Sequence, residues 1–211
     1  MPSVQLFARV DDLLYMLWPA SQAAPTSALA AGYHLRYFVE QDAEAYCALV
    51  NLDRWEDTGW RCREYSLRDM VIRAVPRGFF VVEATNGALV ATAVARHRPD
   101  ADTYDFPDGG EVCLVYVHPD QRRHGLGKFV TAAAVQRLQA IGYRNIYLNV
   151  ADGRLAALRM YLTLGFTPLL YHEGVLARWQ QICANLNWPF DAGWPQAALL
   201  PVTAQSDWKQ V

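Results

Sequence analysis

The sequence lacks several features that would place it in a large class of proteins. No apolar run reaches the roughly 18 residues that a membrane-spanning helix needs. Arg9, Asp11 and Asp12 interrupt the beginning of the chain before any long apolar core of the kind found in a signal peptide. The formal net charge is only -2, so the composition has no basic excess for binding nucleic acid. We therefore expect a cytoplasmic protein that binds neither nucleic acid nor membranes.

Cysteine is scarce, and its spacing is unlike that of a disulfide framework or a zinc site. The four cysteines, Cys47, Cys62, Cys113 and Cys183, are widely separated and form no CxxC pair. Cys113 also lies within an apolar run. This pattern favours reduced thiols over disulfides, and it predicts no metal centre.

What the sequence does contain is a strand, a basic turn with two glycines, and a helix. With 53% hydrophobic residues among 211, the chain can bury one substantial core. Residues 112–117 are β-branched and aromatic, as in a strand buried on both faces, and Pro119 should end that strand. The helix is predicted from apolar residues spaced three and four apart: Leu126, Phe129, Val130, Ala133, Ala134, Leu138 and Ile141.

This order of elements is typical of a phosphate-binding site. The first N–H groups of a helix lack internal partners and lie at the positive end of its dipole, and Gly125 and Gly127 allow an anion close to the backbone. A P-loop does not fit, because Phe129 stands where a hydroxyl is needed. A dinucleotide fingerprint does not fit either, because Val130 occupies a small-residue position and no acid lies near Tyr147. A basic turn before a core helix remains the alternative.

Two motifs resemble one family. The run Arg122-Arg123-His124-Gly125-Leu126-Gly127 resembles the Arg/Gln-x-x-Gly-x-Gly/Ala signature of the GNAT superfamily of acyl-CoA-dependent N-acetyltransferases. Residues 154–166 resemble a second helix of that superfamily, which reads Asn-x-x-Ala-x-x-Leu-Tyr-x-x-Leu-Gly-Phe. The matching residues of that helix are Ala157, Tyr161, Leu164, Gly165 and Phe166, with Met160 in place of Leu and Arg154 in place of Asn.

The resemblance covers roughly residues 33–171 and implies an α/β fold with a mixed central sheet flanked by helices. In that fold the strand before the phosphate loop and the next parallel strand splay apart, and acyl-CoA binds between them. The residue pattern itself predicts the order β-α-α-β-β-β-α-β-α-β for this region. We divide the chain into an N-terminal extension (residues 1–32), an acetyltransferase domain (residues 33–173) and a C-terminal helix and tail (residues 174–211).

The resemblance also implies which residues contact the co-substrate, acetyl-CoA. They are Val115, Tyr116, Val117, Arg122, Arg123, His124, Gly125, Leu126, Gly127, Lys128 and Arg154. Arg154 either loses a hydrogen bond that the usual Asn makes to pantetheine or reaches a phosphate instead. The backbone N–H of Tyr116 or Val117 would stabilise the oxyanion of the tetrahedral intermediate.

Tyr161 and Glu111 are the catalytic candidates. The superfamily carries a general-acid tyrosine at the position of Tyr161, and a phenol with a pKa of about 10 can protonate a thiolate whose pKa is near 8.5. The alternative is a core tyrosine. Glu111 stands eleven residues before Arg122, the spacing of the catalytic glutamate in histone-type members. It could instead be a solvated loop end, with water taking the proton.

The implied function is transfer of an acetyl group from acetyl-CoA to a primary amine of a small molecule or peptide by direct attack. The alternative is a non-catalytic acyl-CoA-binding or sensor module. The run 171–173 with Arg178-Trp179 after it, together with the runs 117–119 and 154–159, also resembles the mycothiol-synthase-like branch. The named enzyme of that branch has two tandem domains, whereas this sequence contains no internal repeat. Its substrate is therefore not carried over.

Three segments outside the motifs have open interpretations. Residues 13–18 are contiguous apolar residues, for which we expect one or two turns of helix packed on the domain, with a homodimer contact or a lid as alternatives. Residues 51–65 contain Trp55, Glu56, Asp57 and Trp60, which would suit either an acceptor wall or a solvated loop. Residues 174–186 predict a helix, followed by a tail that packs on the sheet edge or dimerises.

Overall fold

The structure is a computed structural model that describes residues 13–52, 62–101 and 104–198. Seven strands in these ranges form one sheet in the order β2-β3-β4-β7-β8-β1-β9, and two more form a separate ribbon. The strands are β1 (Leu13–Trp18), β2 (Tyr33–Tyr37), β3 (Ala74–Ala84), β4 (Leu89–His97), β5 (Asp100–Ala101), β6 (Tyr104–Asp105), β7 (Gly110–Val117), β8 (Ile146–Ala151) and β9 (Thr167–Pro168). The α-helices are α1 (Ala43–Val50), α2 (Glu64–Arg73), α3 (Leu126–Ala140), α4 (Leu155–Leu164) and α5 (Glu173–Leu186).

The sheet is mixed and covered on both faces, as the sequence predicts for an α/β fold. Strands β7 and β8 pair in parallel, while the other neighbours in the large sheet pair antiparallel. Along β3, Phe80 and Val82 join the core cluster that contains α3, α4 and α5, whereas Phe79 and Val81 face the cluster that contains α1 and α2. This alternation follows from the two-residue period of a strand. The predicted order of elements over residues 33–171 is confirmed, with the ribbon β5–β6 added in the loop before β7.

The helix expected for residues 13–18 is wrong, because these residues form strand β1. It pairs with β8 from Leu13↔Ala151 to Trp18↔Ile146 and with β9 at Met16↔Pro168. Leu14, Met16 and Trp18 lie in one core cluster, and the residues between them, Tyr15 and Leu17, lie in another. A short apolar run buried on both faces has no periodicity that separates a strand from a helix, so pairing with β8 decides its structure.

A helix runs directly into a strand before the first hairpin of the sheet. Helix α2 ends at Arg73, and β3 begins at Ala74 and includes Pro76. The β3–β4 hairpin turns at Asn86-Gly87. Its turn places only Gly87 at positive φ (80°), and Gly87 N–H donates to Ala84 O at 2.9 Å. It is therefore a type I turn followed by a left-handed glycine.

The end of the described chain packs onto the domain. The C-terminal helix is confirmed as α5, whose buried face includes Val175, Trp179 and Ile182. Trp194 contacts the ring of Trp179 with centroids 6.0 Å apart, and Leu170 N–H donates to Pro195 O at 2.7 Å. None of the described helices is both long and apolar enough to cross a bilayer. The division of the chain into three parts stays a prediction.

Candidate active site

Strands β7 and β8 are paired only at the end where β7 begins. The parallel ladder consists of Gly110↔Ile146 and Glu111↔Tyr147, although β7 continues to Val117 and β8 to Ala151. Beyond Glu111 the two strands share no further pair, and we call the space between their separating ends the cleft. The separation of these strands expected from the sequence is confirmed.

A β-bulge in β7 accompanies this divergence. Cys113 pairs with Val94 and Tyr116 with Thr92, so Leu114 and Val115 together oppose the single residue Ala93. Leu114 takes a φ of 50°, which is unusual for a branched side chain. An extra residue bends the bulged strand and increases its twist. The bulge therefore turns the second half of β7 away from the line of β8.

The hydrogen-bond pattern shows which backbone groups of β7 face the cleft. His118 N–H donates to Val90 O at 2.8 Å, so the residue before it, Val117, directs its N–H and C=O away from β4. In agreement, the Val117 carbonyl accepts from Arg122 Nε at 3.4 Å on that side. By the same alternation the N–H of Tyr116 is directed towards β4. Of the two predicted oxyanion donors, Val117 is therefore oriented to serve and Tyr116 is not.

Helix α3 begins beside this end of β7 with an uncapped N-terminus. Its N-cap is Gly125, which has a φ of 77° and makes no side-chain cap hydrogen bond. The first helical bond runs from Phe129 N–H to Gly125 O at 2.9 Å, so the N–H groups of Leu126, Gly127 and Lys128 precede any i−4 acceptor. Residues 122–125 are exposed. This arrangement presents unshared N–H groups and the positive end of a helix dipole at the surface.

Glycine is favoured at positions 125 and 127 for two different structural reasons. A Cβ on Gly127 would lie 3.1 Å from Met160 Sδ and 3.5 Å from Val117 Cγ2, so glycine allows α3 to start close to β7 and α4. A Cβ on Gly125 would meet nothing within 4 Å, but the positive φ there disfavours any other residue. The space in front of Gly125 is therefore open, and the backbone around it is exposed.

Tyr161 lies on α4 and is 7% exposed. Burial raises the pKa of its phenol above the ordinary value of 10, Cys113 raises it further, and Arg154 lowers it. These interactions place Tyr161 near β7 and near the start of α4, where Arg154 is the N-cap. The phenol remains protonated at neutral pH, which a general acid requires.

Glu111 is 1% exposed, so the solvated loop end considered from the sequence is wrong. Its Oε2 accepts from Arg96 Nε at 2.5 Å and from Arg98 at 3.5 Å. Its Oε1 accepts from Asn149 Nδ2 on β8 at 2.9 Å. The carboxylate therefore bridges β4, β7 and β8 at the inner end of the cleft.

Comparisons with known proteins agree with this geometry. Residues 35–166 match the sequence profile described as "Acetyltransferase (GNAT) family". The chain belongs to this family. Mycothiol acetyltransferase of Thermobispora bispora is 33% identical over 75% of this chain and 55% of its own length, and the same enzyme of Frankia casuarinae is 34% identical over 83% and 53%. The fold matches a GCN5-related N-acetyltransferase from Sphaerobacter thermophilus, with a TM-score of 0.55, 20% identity, and coverage of 74% of this chain and 48% of that one.

This GNAT chain thus spans about half the length of the curated relatives it matches. The profile match covers the cleft, the loop and α4, which are the parts described above. The shared region therefore includes the whole candidate site.

His124, one of the predicted site residues of this GNAT domain, contacts strand β2. His124 Nδ1 is 3.2 Å from Tyr33 Oη on β2, and Tyr33 in turn donates to Gln121 Oε1 at 2.6 Å. The imidazole, directly before the N-cap of α3, is therefore held against β2. A contact between His124 and the co-substrate stays a prediction, as do those of the other loop residues.

Sequence reasoning missed Arg96, Arg98 and Asn149. The two arginines alternate with His97 at the end of β4, and their contact with Glu111 depends on the pairing Arg96↔Glu111. Asn149 stands within an otherwise apolar strand, and a polar residue at such a position is a signal that could have been used. The pairing itself cannot be read from one sequence.

Two further expectations concern the surroundings of the site. Trp55, Glu56, Asp57 and Trp60, considered for an acceptor wall, lie outside the described residues. Within the described ranges, no three His, Cys, Asp or Glu side chains come together as a metal-binding group.

Proposed function

We propose that this domain binds acetyl-CoA and transfers its acetyl group to a primary amine of a small molecule or peptide. One observation carries the proposal: the uncapped start of α3 opens directly beside the diverging ends of β7 and β8. An anion site next to a narrow cleft suits a ligand with a diphosphate at one end and an extended arm at the other. The names of the relatives, mycothiol acetyltransferases, support acetyl as the transferred group.

The residues present fit such a co-substrate. The N–H groups of Leu126, Gly127 and Lys128 would hold the diphosphate, with the exposed Arg122 and Arg123 adding charge. The pantetheine arm carries amides, and the outward-facing C=O of Val117 can accept a hydrogen bond from one of them, as in strand pairing. Binding therefore depends mainly on the backbone.

Direct transfer then proceeds through a tetrahedral intermediate. The amine nitrogen attacks the thioester carbonyl carbon, and the carbonyl electron pair moves to oxygen, where the Val117 N–H stabilises the charge. When the intermediate collapses, the C–S bond breaks and Tyr161 donates its proton to the departing thiolate. The amide product and free coenzyme A leave, and the Tyr161 phenolate takes a proton back from water.

The proton lost by the amine passes to water or to Glu111. Arg96, Arg98 and Asn149 already occupy three of the roughly four acceptor positions of the Glu111 carboxylate. These contacts favour a holding role, in which Glu111 fixes the inner end of the cleft, with water as the proton acceptor. The alternative is the catalytic role expected from the sequence, in which Glu111 is the general base. The variant Glu111→Gln distinguishes the two roles.

The proposal is tested by measuring thiol release from acetyl-CoA in the presence of a panel of primary amines, with coenzyme A affinity measured separately by calorimetry. We expect micromolar to millimolar affinity and amine-dependent thiol release. Affinity without release for any amine would instead support the acyl-CoA-binding module. No affinity for coenzyme A would contradict both.

A further inference from the structure

Two cysteines that are 15 residues apart in sequence have their sulfur atoms in direct contact. Cys47 Sγ and Cys62 Sγ lie 2.9 Å apart, with both residues present as free thiols. Cys47 is on α1, and Cys62 stands shortly before α2. A disulfide needs an S–S distance of about 2.05 Å, so only a small movement separates this contact from a bond.

Hydrogen bonds and packing hold the backbone of Cys62 against helix α1, which carries Cys47. The Asn51 side chain accepts from Cys62 N–H at 2.8 Å and donates to Cys62 O at 3.1 Å. Tyr46 and Leu49 on α1 pack in the same core cluster as Cys62 and Leu67. The two sulfur atoms are therefore held together by the fold rather than by chance proximity of mobile ends.

The pair is also accessible from one side. A cavity of about 330 Å³ is lined by Ala43, Glu44, Cys47, Cys62 and Arg63. Cys47 is half-buried, whereas Cys62 is 4% exposed. Burial, together with the neighbouring thiol, raises the pKa of Cys62 to about 12. A reagent from solvent therefore reaches Cys47 first, and Cys62 lies behind it.

We propose that Cys47 and Cys62 form a redox modification site that closes reversibly to an intramolecular disulfide. The oxidant is a low-molecular-weight disulfide. The thiolate of Cys47 attacks one of its sulfurs, its S–S bond breaks, and one small thiol leaves. Cys62 then loses its proton to solvent and attacks Cys47 Sγ, which forms the protein disulfide and releases the second small thiol. The two protein thiols lose two electrons, and the small disulfide gains them.

Neither remaining cysteine offers the same chemistry. Cys183 is buried on α5, and neither it nor Cys113 on β7 has its sulfur in contact with a second thiol among the described residues. They serve as internal controls in the same chain. The inference is independent of the proposed acetyltransferase function, because it rests on α1 and the start of α2 alone.

The test is to incubate the full chain with oxidised glutathione, quench with an alkylating agent, and map the peptides by mass spectrometry. We expect a single cross-linked pair of peptides that contain Cys47 and Cys62, with Cys113 and Cys183 still alkylated. The cross-link should raise Tm by up to about 10 °C, since it closes a loop of about 15 residues. Dithiothreitol should reverse both changes.

Matched variants complete the experiment. Cys62→Ser should stop the reaction at a mixed disulfide between Cys47 and glutathione, whereas Cys183→Ala should give the same cross-link as the wild type. Full alkylation of Cys47 and Cys62 after incubation, or a wild-type mixed disulfide that does not proceed to the cross-link, would overturn the proposal. The wild-type measurement alone shows whether Cys47 and Cys62 form the disulfide, even if a variant folds poorly.

Discussion

Glu111 and Asn149 are joined by a hydrogen bond of 2.9 Å immediately beyond the last backbone pair of β7 and β8. Where the backbone ladder stops, these two side chains continue the connection between the strands. Arg96, on β4, donates to the other carboxylate oxygen of Glu111. The inner end of the cleft is therefore closed by one buried carboxylate, and the cleft can open only towards Val117 and the start of α3.

Replacing Glu111 with Gln should mainly reduce stability. The substitution leaves the guanidinium of Arg96, which is 14% exposed, without its carboxylate, and losing one partner of a buried pair costs about 3–5 kcal/mol. Urea unfolding measures this change, and the pH profile of kcat/KM should keep its acidic limb. Glu83→Gln is the control, because Glu83 pairs with Arg36 at 27% exposure and should cost less than about 1 kcal/mol. A loss of the acidic limb with unchanged stability would instead identify Glu111 as the base.

Replacing Tyr161 with Phe should reduce kcat at least tenfold, while the affinity for coenzyme A changes little. The phenol donates its proton only as the thiolate leaves, so its removal affects turnover rather than binding. Because burial raises the pKa of Tyr161 above 10, wild-type activity should show no loss from its deprotonation below about pH 10. Tyr143→Phe is the control, since the Tyr143 hydroxyl contacts His97 at 2.9 Å, away from α4. Unchanged turnover in Tyr161→Phe would refute the acid assignment.

Replacing Gly125 with Val should abolish coenzyme A binding, with a rise in Kd of at least about 100-fold. A side chain there projects into the open space in front of the first N–H groups of α3. Gly142 is a matched control at the other end of the same helix, because it also has a positive φ (96°) and nothing within 4 Å of a built Cβ. Both variants should lose about 1–2 kcal/mol of stability through the strained φ. Calorimetry that finds equal affinities in the two variants would contradict the loop's role.

Asp42 should stabilise the protein at neutral pH but not in acid. Arg36 donates to both carboxylate oxygens at 2.6 and 2.8 Å and lowers the pKa of Asp42. The stabilisation is therefore complete above the unfolded pKa of about 3.9 and is lost as the pH falls through the lower folded value. Asp42→Asn should lose about 1.5–3 kcal/mol at pH 7. The difference between the thermal melts of the two proteins should shrink as the pH falls below about 3.9 towards the lowered folded pKa of Asp42.

Asp69→Asn controls for the loss of charge alone. Asp69 pairs with Arg73 on the surface of α2 at 58% exposure, so this variant should melt within about 1 kcal/mol of the wild type at every pH. If Asp42→Asn behaved in the same way, the contribution assigned to the Arg36 contact would be wrong.

The parts that could be read from the sequence are those fixed by local chemistry. The strand that ends before Pro119 and the glycine turn each have a short-range signature, and the structure places them as predicted. Helix α3 is also present, but its buried face includes Thr131, Ala132 and Val135, whereas Phe129 and Ala133 of the predicted stripe are only partly buried. The end of α4 at Gly165, where φ is 119°, also has a local signature, because glycine is the residue that most readily adopts this conformation after a helix. These elements carry most of the candidate site.

The parts that could not be read depend on pairing between distant residues. The sequence of β1 is a short apolar run that fits a strand or a helix, and only its pairing with β8 makes it a strand. The partners of Glu111 likewise come from β4 and β8. The contact between Cys47 and Cys62 likewise depends on how α1 meets the start of α2. Residue spacing along one chain contains no direct record of such contacts.

A crystal structure of the protein with coenzyme A would show directly whether the start of α3 binds the diphosphate. We expect the diphosphate within hydrogen-bonding distance of the N–H groups of Leu126, Gly127 and Lys128, with the pantetheine arm between β7 and β8 against Val117. A ligand bound elsewhere, or an empty α3 terminus at a coenzyme concentration that saturates binding in solution, would contradict this site.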